Sequence, residues 1–201
     1  GDDATITNSG TITATNSGIA SFGDDATITN SGIIDGGTYG IDSSGANTTI
    51  TNSGSITGDN AVVSFGDDVT ITNSGTITST LFEGIFSSGD DATITNSGTI
   101  TSTRSGILST GDDATITNSG SITAGNDSIS SSGDDVTITN SGTINAGDDG
   151  IDSGGTNAII TNSGSINAGD DGINSTGANA IITNSGTITG TDHAILGGTS
   201  D

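Results

Sequence analysis

The stretch GDDATITNSGTIT, residues 1–13, returns in close variants eight more times along the 201-residue chain. Aligned on the triplet Asn-Ser-Gly, the copies fall at Asn8, Asn30, Asn52, Asn73, Asn96, Asn118, Asn140, Asn162 and Asn184. The successive spacings are 22, 22, 21, 23, 22, 22, 22 and 22 residues. A fixed period of this length is typical of proteins in which each repeat unit covers its neighbour.

The one short step and the one long step fall at residues 58–60 and 79–84, just after the second isoleucine of a copy. Loops absorb insertions and deletions more easily than strands do. The sequence therefore predicts a loop at this point of every copy.

Three apolar columns run through all nine copies. The first is Ile6, Ile28, Ile50, Ile71, Ile94, Ile116, Ile138, Ile160 and Ile182. The second is Ile12, Ile34, Ile56, Ile77, Ile100, Ile122, Ile144, Ile166 and Ile188. The third is Ile19, Ile41, Val62, Ile85, Ile107, Ile129, Ile151, Ile173 and Ile195. Small or polar residues flank each one, and this alternation of β-branched and polar residues predicts short strands.

No single copy can bury its own three isoleucines, but stacked copies can. We therefore predict an all-β fold: a single-stranded parallel β-solenoid (β-helix) of about nine coils, each with about 22 residues and three short strands. A right-handed sense is expected. Residues 1–201 would form one domain, a rod about 40 Å long at the usual strand spacing. The chain begins within the repeat pattern, so we expect a fragment or subunit of a longer surface protein or filament.

The asparagine column is predicted to form a ladder. A carboxamide has both donors and an acceptor, so stacked Asn8 equivalents can hydrogen-bond along the rod. Gly10 and its equivalents are expected to turn the chain with positive φ.

Composition limits the function. Only 28% of the residues are hydrophobic, and the net charge is −23 with a single arginine and no lysine. This charge excludes nucleic acid as a partner and disfavours anionic membrane surfaces. No apolar run is long enough to span a membrane as a helix, and no signal peptide is visible.

The phrases ITNSGTIT, ITNSGSITGDN and ITNSGTINAGDDGI resemble the passenger regions of bacterial autotransporters and related surface adhesins. The resemblance implies a parallel β-helix that forms an extracellular rod on the surface of a bacterium. It implies no catalytic residues. The expected function is that of a non-enzymatic structural protein, an adhesin stalk or a self-assembling filament subunit. Its partners would be like rods, packed end to end or laterally, or a host or surface glycan or protein; membrane insertion is not expected.

The corner Gly-Asp-Asp is a candidate metal site. Four consecutive coils keep both acidic columns: Asp67, Asp68, Asp90, Asp91, Asp112, Asp113, Asp134 and Asp135. Stacked carboxylates repel one another, and Ca²⁺ would relieve that repulsion. The alternative is a solvated acidic edge that keeps the rod soluble and needs no cofactor. The segments AGNDSI and AGDDGI also resemble half of an RTX-type calcium repeat, although the 22-residue period departs from that motif.

Two files of threonine flank the first isoleucine column and are expected to point outward. They are Thr5 and Thr7, Thr27 and Thr29, Thr49 and Thr51, Thr70 and Thr72, Thr93 and Thr95, Thr115 and Thr117, and Thr137 and Thr139. This lattice resembles the ice-binding face of several β-solenoid antifreeze proteins. The alternative is that threonine simply suits an exposed strand.

Catalysis is not expected. Arg104 and His193 lie in the fifth and ninth coils, about 19 Å apart at the usual strand spacing, so they cannot share a site. No base is placed to activate the many serines.

Larger apolar side chains are few: Phe22, Tyr39, Phe65, Leu81, Phe82, Phe86 and Leu108. We expect them to cover a corner of the core. The alternative is that the bulge LFEGIF contacts a partner.

Overall fold

The structure is a computed structural model that describes residues 2–198, and within them it contains three parallel nine-stranded sheets and no helix. The strands of the first sheet are Thr5–Asn8, Thr27–Asn30, Thr49–Asn52, Thr70–Asn73, Thr93–Asn96, Thr115–Asn118, Thr137–Asn140, Ile159–Asn162 and Ile181–Asn184. Those of the second are Thr11–Ala14, Ile33–Gly36, Ser55–Gly58, Thr76–Ser79, Thr99–Ser102, Ser121–Ala124, Thr143–Ala146, Ser165–Ala168 and Thr187–Thr189. Those of the third are Ser17–Ser21, Tyr39–Ser43, Asn60–Ser64, Ile85–Ser87, Ile107–Ser109, Ile129–Ser131, Ile151–Ser153, Ile173–Ser175 and Ile195–Gly197.

Each coil contributes one strand to each sheet, and every strand pairs with its own equivalent in the next coil. Ile6 lies beside Ile28 and Asn8 beside Asn30, and the same register holds through Ile182 and Asn184. The predicted β-solenoid of about nine coils with three short strands each is therefore confirmed. We number the coils by the order of the nine copies.

The core is a stack of isoleucines. In the middle coils the three columns are fully buried, as Ile94, Ile100 and Ile107 of coil five show. Side chains alternate across a strand, so in Thr93–Asn96 the isoleucine and the asparagine face inward while the threonines face outward. In the first and last coils Ile6, Ile12, Ile182 and Ile188 are only partly buried, because one side of each has no covering coil. Ile195 in the last coil is exposed.

The asparagine ladder runs the length of the rod. Each Nδ2 donates to Oδ1 of the next coil at 2.8 Å, from Asn8 through to Asn184. The same Nδ2 also donates to a carbonyl two residues on, as from Asn8 to Gly10 at 3.3 Å. The asparagine column therefore stabilises both the stacking of the coils and the Ser-Gly turn that follows each asparagine.

The predicted positive φ of Gly10 and its equivalents is wrong. No glycine in residues 2–198 has a positive φ; the left-handed residue is the second of each acidic corner, with φ between 55° and 61°. Asp and Asn tolerate this conformation better than other non-glycine residues. The glycine of the Asn-Ser-Gly triplet is required for a different reason, which is the close approach of neighbouring coils. A Cβ on Gly32 would overlap the carbonyl oxygen of Gly10.

Both irregular steps lie where the sequence predicted a loop, between the second and third strands. The short coil passes from Ser55–Gly58 to Asn60–Ser64 through a single residue, and the long one carries five residues between Thr76–Ser79 and Ile85–Ser87. The stack continues in register on both sides. No helix in the part of the chain that the structure describes could span a membrane.

A column of buried serines ends the third strand of coils one to eight, whereas the third strand of coil nine ends at Gly197. Within residues 2–198, six of their hydroxyls have no hydrogen-bond partner: Ser64, Ser87, Ser109, Ser131, Ser153 and Ser175. Ser43 differs, because its hydroxyl bonds Thr48 Oγ1 at 3.2 Å and Thr48 in turn donates to the Gly45 carbonyl at 2.9 Å. The other coils have alanine or valine where coil three has Thr48.

Replacing Ala114 by threonine is expected to stabilise the rod, because it gives Ser109 the partner that Ser43 already has. Burying a hydroxyl without a partner costs about 1–3 kcal/mol, so we expect Ala114→Thr to recover about 1 kcal/mol. Thermal unfolding is the measurement.

The matched control is Ala114→Val, because valine already occupies the equivalent positions at Val69 and Val136. It adds nearly the same volume without the hydroxyl. Equal melting temperatures for the two variants would show that the buried serine carries no such cost.

Candidate functional site

The three outward faces of the rod differ in how strictly they repeat. The first sheet presents threonine in almost every coil, and the second presents a mixture of Thr, Ser, Asn and Asp. The third sheet presents a different side chain in nearly every coil: Ala20, Asp42, Val63, Phe86, Leu108, Ser130, Asp152, Asn174 and Leu196. Residues that occur once in the chain therefore concentrate on the third face.

The predicted threonine files are present on the first face. Thr93 pairs with Thr115 and Thr95 with Thr117, and the same register extends over coils one to seven. In coils eight and nine the first position becomes Ile159 and Ile181, both exposed. The result is a regular array of hydroxyl and methyl groups, spaced about 4.8 Å along the rod.

The acidic corners have a structural role that the sequence analysis missed. The first aspartate of a corner accepts a hydrogen bond from the backbone N–H of its equivalent in the next coil. This bond joins Asp67 to Asp90 at 3.0 Å, Asp90 to Asp112 at 2.9 Å and Asp112 to Asp134 at 2.8 Å. The second aspartate takes the left-handed conformation, which explains why only Asp or Asn occurs there.

All eight aspartates predicted to hold Ca²⁺ are exposed and lie along one edge of the rod. Desolvation and the neighbouring carboxylates, above all Asp91 and Asp135, raise the pKa of Asp113, whereas the Thr156 N–H lowers the pKa of Asp134. The structure arranges the carboxylates in two columns. The first aspartate of each corner accepts a backbone N–H, and the second adopts the left-handed conformation of the turn. Calcium binding there stays a prediction.

A second acidic group lies in the loops that lead into the third strands of coils six to nine. Asp149 and Asp171 are only 8% and 4% exposed, and Asp149 Oδ1 accepts the Asp171 N–H at 2.9 Å. Asn174 donates to Asp149 Oδ2 at 2.8 Å. Oxygens of Asp148, Asp149 and Asp170 lie within 4.8 Å of one another, so these residues could hold a hard cation. Ligand atoms of Asp171, Asp192 and His193 lie equally close together. The segment AGDDGI was the signal for this group in the sequence.

Burial and crowding act on Asp152, which faces outward beside this group. Desolvation, followed by the charges of Asp127, Asp149 and Asp148, raises its pKa to about 6. The next coil has Asn174 in the paired position. The side chain of Asp152 is therefore ionised at neutral pH, although its partial burial and the neighbouring carboxylates favour the neutral form.

The two basic side chains lie far apart. Arg104 Nη1 is 3.6 Å from Glu83 Oε1, and its guanidinium stands 5.9 Å from the centre of the Phe82 ring. His193 Nδ1 is 2.9 Å from Asp171 Oδ1 in the last coils, and this contact raises the pKa of the imidazole. The structure does not bring Arg104 and His193 into one site.

The expectation that the larger apolar residues cover a corner of the core is wrong for four of the seven, whereas Tyr39, Phe86 and Leu108 are partly buried. Phe22, Phe65, Leu81 and Phe82 are exposed, with Phe22 at 69% and Phe65 at 51%. The inward positions are already filled by the small residues and isoleucines that repeat, so these side chains can only point out. On the third face Phe65 borders a shallow groove of about 220 Å³, which is also lined by Tyr39, Asn60, Val63, Glu83, Phe86 and Leu108.

Comparison of the chain with protein-family models, with curated proteins and with solved structures finds no match. The repeat architecture therefore stands on the structure itself, and resemblance to autotransporter passengers or adhesins enters only as a proposal.

Replacing Asp152 by asparagine is expected to stabilise the protein at neutral pH. A folded-state pKa of about 6, above the ordinary 3.8, means that the folded state binds the proton more tightly than the unfolded chain. The resulting stabilisation is full below about pH 4 and is lost as the pH rises through about 6. Because the side chain is partly solvated, we expect Asp152→Asn to add only about 1 kcal/mol at pH 7.5, or about 2–4 °C in Tm.

The control is Asp35→Asn, an exposed aspartate on the second sheet. Melting curves between pH 4 and 8 should show a smaller fall of Tm with pH for Asp152→Asn and an unaltered profile for the control. Parallel profiles for wild type and Asp152→Asn would contradict the assignment.

Proposed function

We propose that the protein is a non-enzymatic structural rod that works outside the cell, as a surface stalk or as the subunit of a filament. The observation that carries the proposal is the uninterrupted stack: nine coils in one register, with an unbroken asparagine ladder. Such a shaft has the same cross-section throughout, which suits a part that spaces or projects. The extracellular bacterial setting rests on the resemblance stated above.

The ladder has a direction that favours head-to-tail assembly. Every Nδ2 of the ladder donates toward the C-terminal end of the rod. In the last coil that the structure describes, Asn184 Nδ2 makes only the bond to the Gly186 carbonyl, at 3.3 Å. At the other end, Asn8 Oδ1 accepts only the Gly10 N–H, at 3.2 Å, among the donors of residues 2–198. A second copy stacked head to tail would join donor to acceptor, and a contact of this kind repeats without closing.

The partly buried isoleucines at the two ends support the same arrangement. A further coil would cover the partly buried isoleucines, which are Ile6 and Ile12 at one end and Ile182 and Ile188 at the other. A net charge of −23 opposes association, so the contact should need salt to screen it.

We expect threads many times longer than the single rod of about 40 Å in negative-stain images taken at about 0.15 M salt. Asn184→Asp should shorten or abolish them. Aspartate keeps the Oδ1 that accepts from Asn162 but removes the donor and places a carboxylate against the acceptor of the next copy.

The control is Asn179→Asp, which adds the same charge in the same coil at an outward position where six other coils already have aspartate. Threads should persist with this variant. Only short rods from the wild-type chain at every salt concentration would contradict self-assembly and leave a monomeric stalk.

A second candidate function is ice binding, which the in-register threonine files of the first face favour. A flat, rigid array of hydroxyl and methyl groups can order water in a lattice-like layer, and seven coils repeat it.

If ice binding is the function, Thr93→Tyr should lower thermal hysteresis severalfold, because the bulky ring interrupts the flat array. The control is Thr99→Tyr, in the same coil at the matching exposed position of the second sheet. Hysteresis should be unchanged in this control. Absence of thermal hysteresis in concentrated wild-type protein dismisses ice binding.

A further inference from the structure

We propose that the groove on the third face, over coils two to five, binds one ring of a neutral saccharide. This site goes beyond the structural role, since a rod needs no groove, and it does not depend on whether the rod polymerises. Four observations carry it: the placement of the groove, its aromatic wall, its polar wall and its local charge.

The groove lies where the repeat departs most from its own pattern. Tyr39, Asn60 and Glu83 occupy the same position in successive coils, two residues before the inward residue of the third strand. Other coils have serine, aspartate or histidine there. A surface that recurs in every coil offers many equivalent sites, whereas this combination of residues occurs once and can form a single defined site.

The aromatic wall consists of Phe65 and Phe86. Their ring centres are 5.8 Å apart with an angle of 68° between the planes, an edge-to-face pair that holds each ring in place. Phe65 is 51% exposed, so one ring face is open to a ligand. The C–H groups on one side of a pyranose carry partial positive charge and pack well against the negative face of such a ring.

The polar wall consists of Tyr39, Asn60 and Glu83. Asn60 Oδ1 accepts the Glu83 N–H at 3.3 Å, which fixes the amide and directs its Nδ2 away from that bond. The Glu83 side chain is only 13% exposed, and its sole ionic contact within residues 2–198 is Arg104 at 3.6 Å. A carboxylate, an amide N–H and a phenol match the donors and acceptors of sugar hydroxyls.

The local charge selects a neutral ligand. Glu83 is the one charged residue that lines the groove, and Arg104 lies 3.6 Å from it and balances its charge. The carboxylates near the groove, Asp42 and Asp59, add only negative charge. A polyanion would be repelled by the surrounding rod. A second copy of the chain would bring its own negative charge and would strip water from the polar wall without replacing its hydrogen bonds, which is costly.

The size of the groove limits the ligand to about one ring. Its volume of about 220 Å³ lies below the range of about 300–1,000 Å³ that encloses drug-sized ligands. The groove is open, so the rest of a longer glycan could extend into solvent. We therefore expect weak binding of a single sugar, with Kd of about 1 mM or above.

The chain is well suited to a direct test, because it has one tyrosine and four phenylalanines. In ¹³C-labelled protein the ring signals can be followed separately during titration with glucose, galactose, mannose, N-acetylglucosamine and their β-linked dimers. The signals of Tyr39, Phe65 and Phe86 are expected to shift with at least one of these sugars. The signal of Phe22 in coil one should not move, and galacturonate should bind more weakly than galactose.

Two variants test the two walls. Phe65→Ala and Glu83→Gln should each weaken binding by about tenfold, and strand content by circular dichroism confirms that they fold. The matched control is Phe22→Ala, which removes an exposed phenylalanine from the equivalent position of coil one and should leave the affinity unchanged.

Three results would overturn the proposal. One is the absence of ring shifts with every sugar of the panel at concentrations well above about 1 mM. Another is equal weakening by Phe22→Ala and Phe65→Ala, which would indicate a general effect of aromatic exposure. The third is a shift of the same rings with protein concentration alone and without any response to sugar, which would make the groove a contact between rods.

Discussion

The hydrogen bond from Asn Nδ2 to Asn Oδ1 of the next coil is the constraint on which the rest of the structure depends. At 2.8 Å in every step, it forms only when neighbouring coils present the asparagine at the same point of the strand. A slip of one residue would turn the whole inward set outward. Once the register is fixed in this way, isoleucine lies on isoleucine, and glycine must stand wherever two backbones approach too closely for a Cβ, as at Gly32.

Stacking identical residues in neighbouring coils causes electrostatic repulsion wherever the repeated residue is charged. The two acidic regions differ in how this repulsion is reduced. At the Gly-Asp-Asp edge each first aspartate is exposed and accepts a backbone N–H from the next coil, as Asp90 does for Asp112. Water screens what repulsion remains. Beside the third sheet Asp149 and Asp171 are buried. There desolvation, followed by the charges of Asp127, Asp149 and Asp148, raises the pKa of Asp152 to about 6. Solvent thus moderates the repulsion at the edge, whereas burial adds to it beside the third sheet.

Most features that recur in every coil could be predicted from the sequence, whereas features that occur once could not. The sequence repeats the signals for the period, for the three isoleucine columns, for the asparagine ladder and for the loop after the second strand. Such repetition excludes a chance occurrence of these patterns. The prediction of a positive φ is wrong because it attributed the glycine of the Asn-Ser-Gly turn to backbone conformation. Glycine is required there because neighbouring coils approach too closely for a Cβ. Tyr39 and Phe86 are each the one aromatic residue at their position of the coil, so their partial burial and the groove that they line could be established only from the structure.

This division between repeated and unique residues bears on function. Repetition supplies rigidity and length, because each coil adds the same ladder bonds and the same buried isoleucines as the one before. It cannot supply a single specific site, because any surface made by one coil is made again by the next. Recognition of a discrete ligand therefore requires a break in the pattern, and the third sheet is where the pattern can break without disturbing the inward columns. The apolar middle of that face, between Asp42 and Ser130, is the break that encloses a groove.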